Sequence, residues 1–263
     1  MTNRASEYGI SGPTAEGTPD GGTPDGGTPD GGTPDGGTPA GPGRPWGRRR
    51  TEFVRVAFVA GPLCMLAYGV VRLADPDHGP GPAWTVGHLF LTAGVLLFGA
   101  VFLGLRRLAA PVGPAGRVGA GVATGLGLAG VAAVVAQAVI DLAVGFRSAD
   151  RAGMNRLFED IQSRPGVEPV VYSVVPVLFY VGLLWIVTQL AVRRRTGVWR
   201  PVAVLAGTVV MAVSLDLIPL GALLFSAALA PLGRGLAARE CAARADLAYT
   251  GGTPYPAGLR AVA

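Results

Sequence analysis

Five stretches of the chain are almost wholly apolar, over about 53–73, 84–105, 118–144, 170–192 and 202–232, and polar residues gather between them. A hydrocarbon core of about 30 Å is crossed by about 20 apolar residues in a helix, so each stretch is long enough to span a bilayer. The pattern predicts an all-α membrane protein: a bundle of about five transmembrane helices at 51–233, with a tail at 1–50 and another at 234–263. The fifth stretch is long for one crossing. About 30 residues measure about 45 Å as a straight helix, so it must tilt, kink near Pro219, protrude, or break into two half-spans.

The residues before the first span have no apolar pattern. From Gly17 the pentapeptide Gly-Thr-Pro-Asp-Gly repeats four times to Gly36, and a fifth copy, Gly37 to Gly41, carries Ala40 in place of Asp. Each Pro-Asp-Gly is a turn signal, and no large side chain is available to bury, so a disordered tail is expected. With so long a polar segment ahead of it, the first span reads as an anchor and not as a removed signal peptide.

Composition agrees with a membrane class and excludes an ordinary soluble enzyme. Half of the 263 residues are hydrophobic and 15% are charged, against roughly 25% charged in soluble domains. The net charge is +5 and all 22 basic residues are arginine. They cluster at the ends of the spans, which fits topology signals and not nucleic-acid binding. Arg44, Arg48, Arg49 and Arg50, then Arg106, Arg107 and Arg117, then Arg193, Arg194, Arg195 and Arg200 fall on one side, predicted to be cytoplasmic in a bacterial plasma membrane. The opposite connectors hold Asp75, Asp77 and His78, and a loop with four arginines matched by four acidic residues. Five crossings would leave the C-terminus outside, against the weak signal of Arg234, Arg239 and Arg244. A re-entrant turn at Asp216 to Leu220 would return it to the cytoplasm.

In span pattern and in its Arg-only, Gly/Ala/Val-rich composition the chain resembles the uncharacterised small multi-pass integral membrane proteins of actinobacteria. The resemblance implies a membrane fold. It rests on no diagnostic motif and implies no site residues.

The bilayer is the expected partner, and two features suggest further contacts. Gly121 and Gly125 form a GxxxG pair that Ala129, Ala132 and Ala136 extend, a face expected to pack inside the bundle, with a homodimer as the alternative. Met154, Leu157, Phe158 and Ile161 follow helical spacing within a predicted amphipathic helix at 148–163, capped by Ser148, with Asp160 and Arg164 paired one turn apart. That helix is expected to lie in the outer interface; the alternative is a lid over the bundle mouth.

Polar residues inside spans are costly and mark candidate sites. The alternating helix directions bring His88, Gln137, Asp141, Tyr172, Ser173 and Asp216 to the outer half of the bundle, with Arg72 at the same end. Interhelical hydrogen bonding is the expected use of this cluster, and a proton-linked or ligand-binding cavity is the alternative. No HExxH, GxSxG, Walker loop or paired-cysteine motif is present, so no catalytic, cofactor or metal residue is expected, and the chain is read as a non-enzymatic envelope or accessory component. Cys64 reads as a packing residue.

Overall fold

A computed structural model describes residues 45–109 and 113–250, and every regular element among them is helical. The repeat tail and residues 251–263 lie outside the described residues. Helices α1 (Pro45–Ala74), α2 (Pro82–Ala109), α3 (Gly113–Arg147), α4 (Arg151–Gln162), α5 (Val174–Val192), α6 (Trp199–Val213) and α7 (Ile218–Thr250) follow in order. Five segments are long and apolar enough to cross a membrane: Thr51–Ala74, Pro82–Ala109, Gly113–Arg147, Glu168–Val192 and Leu215–Leu236. Together they fit a multi-pass membrane protein, as the apolar pattern predicts.

The fifth apolar stretch is not one span. Its 15-residue first part, α6, is about 22 Å long and ends at Val213. Ser214 then takes an extended conformation, and its side chain accepts a hydrogen bond from the Asp216 amide at 3.2 Å. A single 3₁₀ turn, Leu215–Leu217, leads into α7. Pro219 is the physical cause: its ring would crowd the Leu215 carbonyl inside a continuous helix, but it is tolerated in the first turn of a new one.

The chain reverses there. Gly207 and Gly221 lie on either side of the turn, and each backbone carbonyl sits about 3 Å from where a Cβ on the other would be, so α6 and α7 pack as a close antiparallel hairpin. Helix α7 runs back along α1: Gly69 faces Pro219, where a Cβ would fall 2.6 Å from the proline ring, and Gly233 faces Phe58 and the Arg55 carbonyl. The end of α7 therefore lies at the same end of the bundle as the start of α1, and the helix continues to Thr250 through most of the segment read as a tail. Arg234 now joins the other arginines, which removes the conflict that a single fifth span creates.

The core sits between α1, α2, α3, α5 and α7. Phe98, Phe102, Phe179 and Phe225 form its centre, with Phe98 and Phe179 edge to face at 5.1 Å between ring centroids. Glycines let the helices close around these rings. Gly127 lies against the Phe102 ring, Gly130 against the Phe179 backbone, and Gly182 against the backbone of Ala123 and Gly127. Gly121 and Gly125, expected to make this contact, have open space where a side chain would be, and Ala129, Ala132 and Ala136 are exposed or nearly so on the same outward face. The GxxxG spacing occurs on α3, but the packing surface is carried by glycines set a fraction of a turn away.

Helix α4 starts at Arg151, later than expected. Asp150, not Ser148, caps it, accepting from the Gly153 amide at 2.7 Å, while Ser148 donates to the Val144 carbonyl inside α3. Its apolar face meets protein. Met154 is buried, Phe158 lies 6.3 Å from the Trp84 ring, and the Arg151 guanidinium donates to the Asp77 carbonyl. Leu157, Phe158 and Ile161 stay partly exposed, so these contacts fit both the interfacial and the lid position. The Asp160–Arg164 pair forms at 3.6 Å, highly exposed, where such pairs contribute little.

Candidate functional site: a buried histidine–aspartate pair

The end of the bundle opposite the arginines holds the polar cluster, assembled by α1, α2, α3 and the start of α5. His88 on α2 and Asp141 on α3 are 4% and 7% exposed, and His88 Nε2 lies 3.5 Å from Asp141 Oδ2. His88 Nδ1 is 2.8 Å from the Trp84 carbonyl, one turn earlier on α2. A carbonyl only accepts, so Nδ1 carries the proton and donates it. Nε2 and Oδ2 then face each other, and two lone pairs would repel. A proton between the two atoms would make the contact a hydrogen bond.

Two aromatic residues fix the pair. Trp84 stacks on His88 with 4.1 Å between ring centroids, and its Nε1 donates to the Asp141 carbonyl at 2.9 Å. Gly145 admits the indole, since a Cβ there would lie 2.6 Å from Trp84 Cδ1. Tyr68 of α1 meets the His88 ring edge-on at 5.7 Å. Neither Trp84 nor Tyr68 is among the candidates read from the sequence. Both carry an i, i+4 signal, Trp84 to His88 and Tyr68 to Arg72, that places them beside known polar positions.

Tyr172 joins from the residues just before α5, with its hydroxyl donating to Asp141 Oδ1 at 3.4 Å. It belongs to a π-helical segment, Glu168–Ser173, that runs into α5 just before Pro176. Pro176 has no amide hydrogen for the Tyr172 carbonyl, and its ring crowds that group, so the chain takes the wider turn there.

The other expected members stand apart. Ser173 donates to Glu168 on the exposed side of the π-helical segment. Gln137, one turn before Asp141, is half-buried and makes no hydrogen bond among the described residues. Asp216 is not deep in the membrane: it sits on the α6–α7 turn, 58% exposed, with Arg72 Nε at 3.3 Å from its Oδ1. Counting residues from the start of a supposed single span put it inside; the hairpin puts it at the bundle end.

Between these groups is a cavity of about 20 Å³, lined by Tyr68, Arg72, Asp75, His78, Trp84 and His88. That is room for about one water molecule. His78, in the α1–α2 loop, has a positive φ of 47° and a buried Nε2 with no hydrogen-bond partner among the described residues. No cluster of metal-ligating side chains occurs among the described residues.

Fold and site together define an α-helical, multi-pass membrane protein with a buried ionisable pair near one end of its bundle. No protein-family model matches the chain, and neither a curated protein nor a solved structure matches it.

Proposed function

We propose that this chain is a non-enzymatic structural or accessory component of a bacterial plasma membrane, with its N-terminus in the cytoplasm, and that the His88–Asp141 network holds the helix ends together. One observation carries this reading: the polar atoms of the pair are directed at each other and at protein groups on two other positions, Trp84 and Tyr172, while the adjoining cavity has space for about one water. A hydrogen-bonded junction needs no more than that. The arginine distribution supports the orientation.

The competing reading is a proton-coupled or ligand-binding protein. It is favoured by the contact between two ionisable groups, His88 and Asp141, and by the cavity beside them. Proteoliposomes separate the two. The structural reading expects the wild-type chain and Asp141→Asn to leave the rate of collapse of an imposed pH gradient equal to that of protein-free vesicles. Wild-type leakage that Asp141→Asn abolishes, with the variant folded, would replace it by the proton-coupled reading.

The outward face at Gly121 and Gly125 supports a further element, a homodimer packed through α3. Its neighbours Val118, Val122 and Val139 are exposed, so a second copy could approach without displacing any intramolecular contact.

A further inference from the structure

An open groove of about 570 Å³ runs along the outward face of α5, lined by Val181, Leu184, Trp185, Thr188, Gln189 and Arg193. The positions follow helical spacing, so they form one stripe. From Val181 to Arg193 the stripe is about 18 Å long, close to the thickness of one leaflet of a hydrocarbon core of about 30 Å. It is graded: aliphatic and aromatic walls lie toward the middle of the helix, hydroxyl and amide groups follow, and a guanidinium closes it.

Arg193 closes that end of the groove. The Arg193 guanidinium lies over Gly116, where a Cβ would fall within its van der Waals radius, and Gln189 Nε2 lies 3.4 Å from the Gly116 carbonyl. Gly116 is in the first turn of α3, which has no acidic residue to offset its amide groups. A helix N-terminus attracts anions through these amides. Here it shares the rim with Arg193. The charge complement of such a rim, at the end of an apolar groove in a membrane-spanning bundle, is a lipid phosphate.

We infer that this groove binds one anionic glycerophospholipid, with an acyl chain along Val181, Leu184 and Trp185 and its phosphate between Arg193 and the start of α3. A zwitterionic lipid offers the same chain but balances its own phosphate with an ammonium group. The groove therefore selects by headgroup charge while the apolar wall supplies contact area. The site is at the opposite end of the bundle from the His88–Asp141 pair, and the inference does not depend on the role of that pair.

The test uses the full chain in dodecyl maltoside, with thermal unfolding and native mass spectrometry after adding dioleoyl phosphatidylglycerol, dioleoyl phosphatidylcholine or sodium phosphate. Phosphatidylglycerol should raise the unfolding midpoint and remain bound in the gas phase, and the other two should not. Arg193→Gln should weaken phosphatidylglycerol binding about fivefold, the effect of one interfacial arginine. Val181→Trp, which fills the lipid-facing part of the groove without altering charge, should also weaken it and tests the site if Arg193→Gln does not fold. Arg164→Gln, at the other end of the molecule, should leave it unchanged. Equal stabilisation by both lipids, reproduction of the effect by phosphate alone, or wild-type phosphatidylglycerol affinity in folded Val181→Trp would overturn the inference.

Discussion

Gly182→Leu should prevent normal assembly of the bundle, whereas Gly125→Leu should leave its stability unchanged. At Gly182 a Cβ alone would sit 2.5 Å from the Gly127 amide nitrogen and 2.6 Å from the Ala123 carbonyl oxygen. Those are backbone atoms of α3, which cannot rotate aside as a side chain can, so α3 and α5 must separate and carry the aromatic core with them. Overpacking usually costs about 1–3 kcal/mol, and a backbone obstruction places this substitution at or beyond the upper end. At Gly125 nothing lies within 4 Å. The thermal unfolding midpoint in detergent checks both. A large loss at Gly125, or none at Gly182, would show that the helix faces are assigned wrongly. Gly125→Leu also reports on the proposed homodimer: a lower cross-linked dimer fraction at an unchanged midpoint is the expected result.

Asp141→Leu should destabilise the chain by about 2 kcal/mol, and Asp141→Asn by about 1 kcal/mol or less. Leucine keeps the branching and number of heavy atoms, with bulkier methyl groups in place of the oxygens, but takes away the partner of buried His88 and of the Tyr172 hydroxyl, leaving both with desolvated polar atoms. The amide keeps the shape and most of the bonding capacity. In a double substitution, His88→Leu with Asp141→Leu, the losses should fall short of their sum, since the second change removes a group the first had already orphaned. Thermal unfolding of the four proteins measures this coupling. Strictly additive losses would mean that the 3.5 Å contact contributes nothing.

Much of this arrangement is legible in the sequence, and what is not has identifiable causes. The long apolar runs fix the helices because a bilayer leaves few other backbone solutions. Helix direction then brings His88, Asp141 and Tyr172 to one level. Level alone does not fix azimuth, however, and a turn of about 100° per residue decides whether a polar side chain faces protein or lipid. Gln137 is set one turn from Asp141 and still misses the network, while Ser173, next to Tyr172, faces away to Glu168. Gly121 and Gly125 fail for the same reason: a motif defined by spacing is silent about which face meets a neighbour. The hairpin was visible in part, because Pro219 marks where a helix must restart. Deciding between a kink and a reversal needs the contacts of α7 with α1, and those involve residues some 150 positions apart, Gly69 with Pro219 and Arg72 with Asp216.

The reversal at Ser214 places Asp216 beside Arg72 and returns α7 along α1, so it is the point to test. Single-cysteine variants Val198→Cys, Leu215→Cys and Ala238→Cys, in a background lacking Cys64 and Cys241, can be labelled in intact cells with a membrane-impermeant maleimide. Positions 198, 215 and 238 are all exposed, at the start of α6, on the turn and on the far part of α7. The account predicts rapid labelling of Leu215→Cys, and labelling of Val198→Cys and Ala238→Cys only after the membrane is permeabilised. Labelling of Ala238→Cys in intact cells while Leu215→Cys stays protected would show a single continuous crossing and contradict the fold described above.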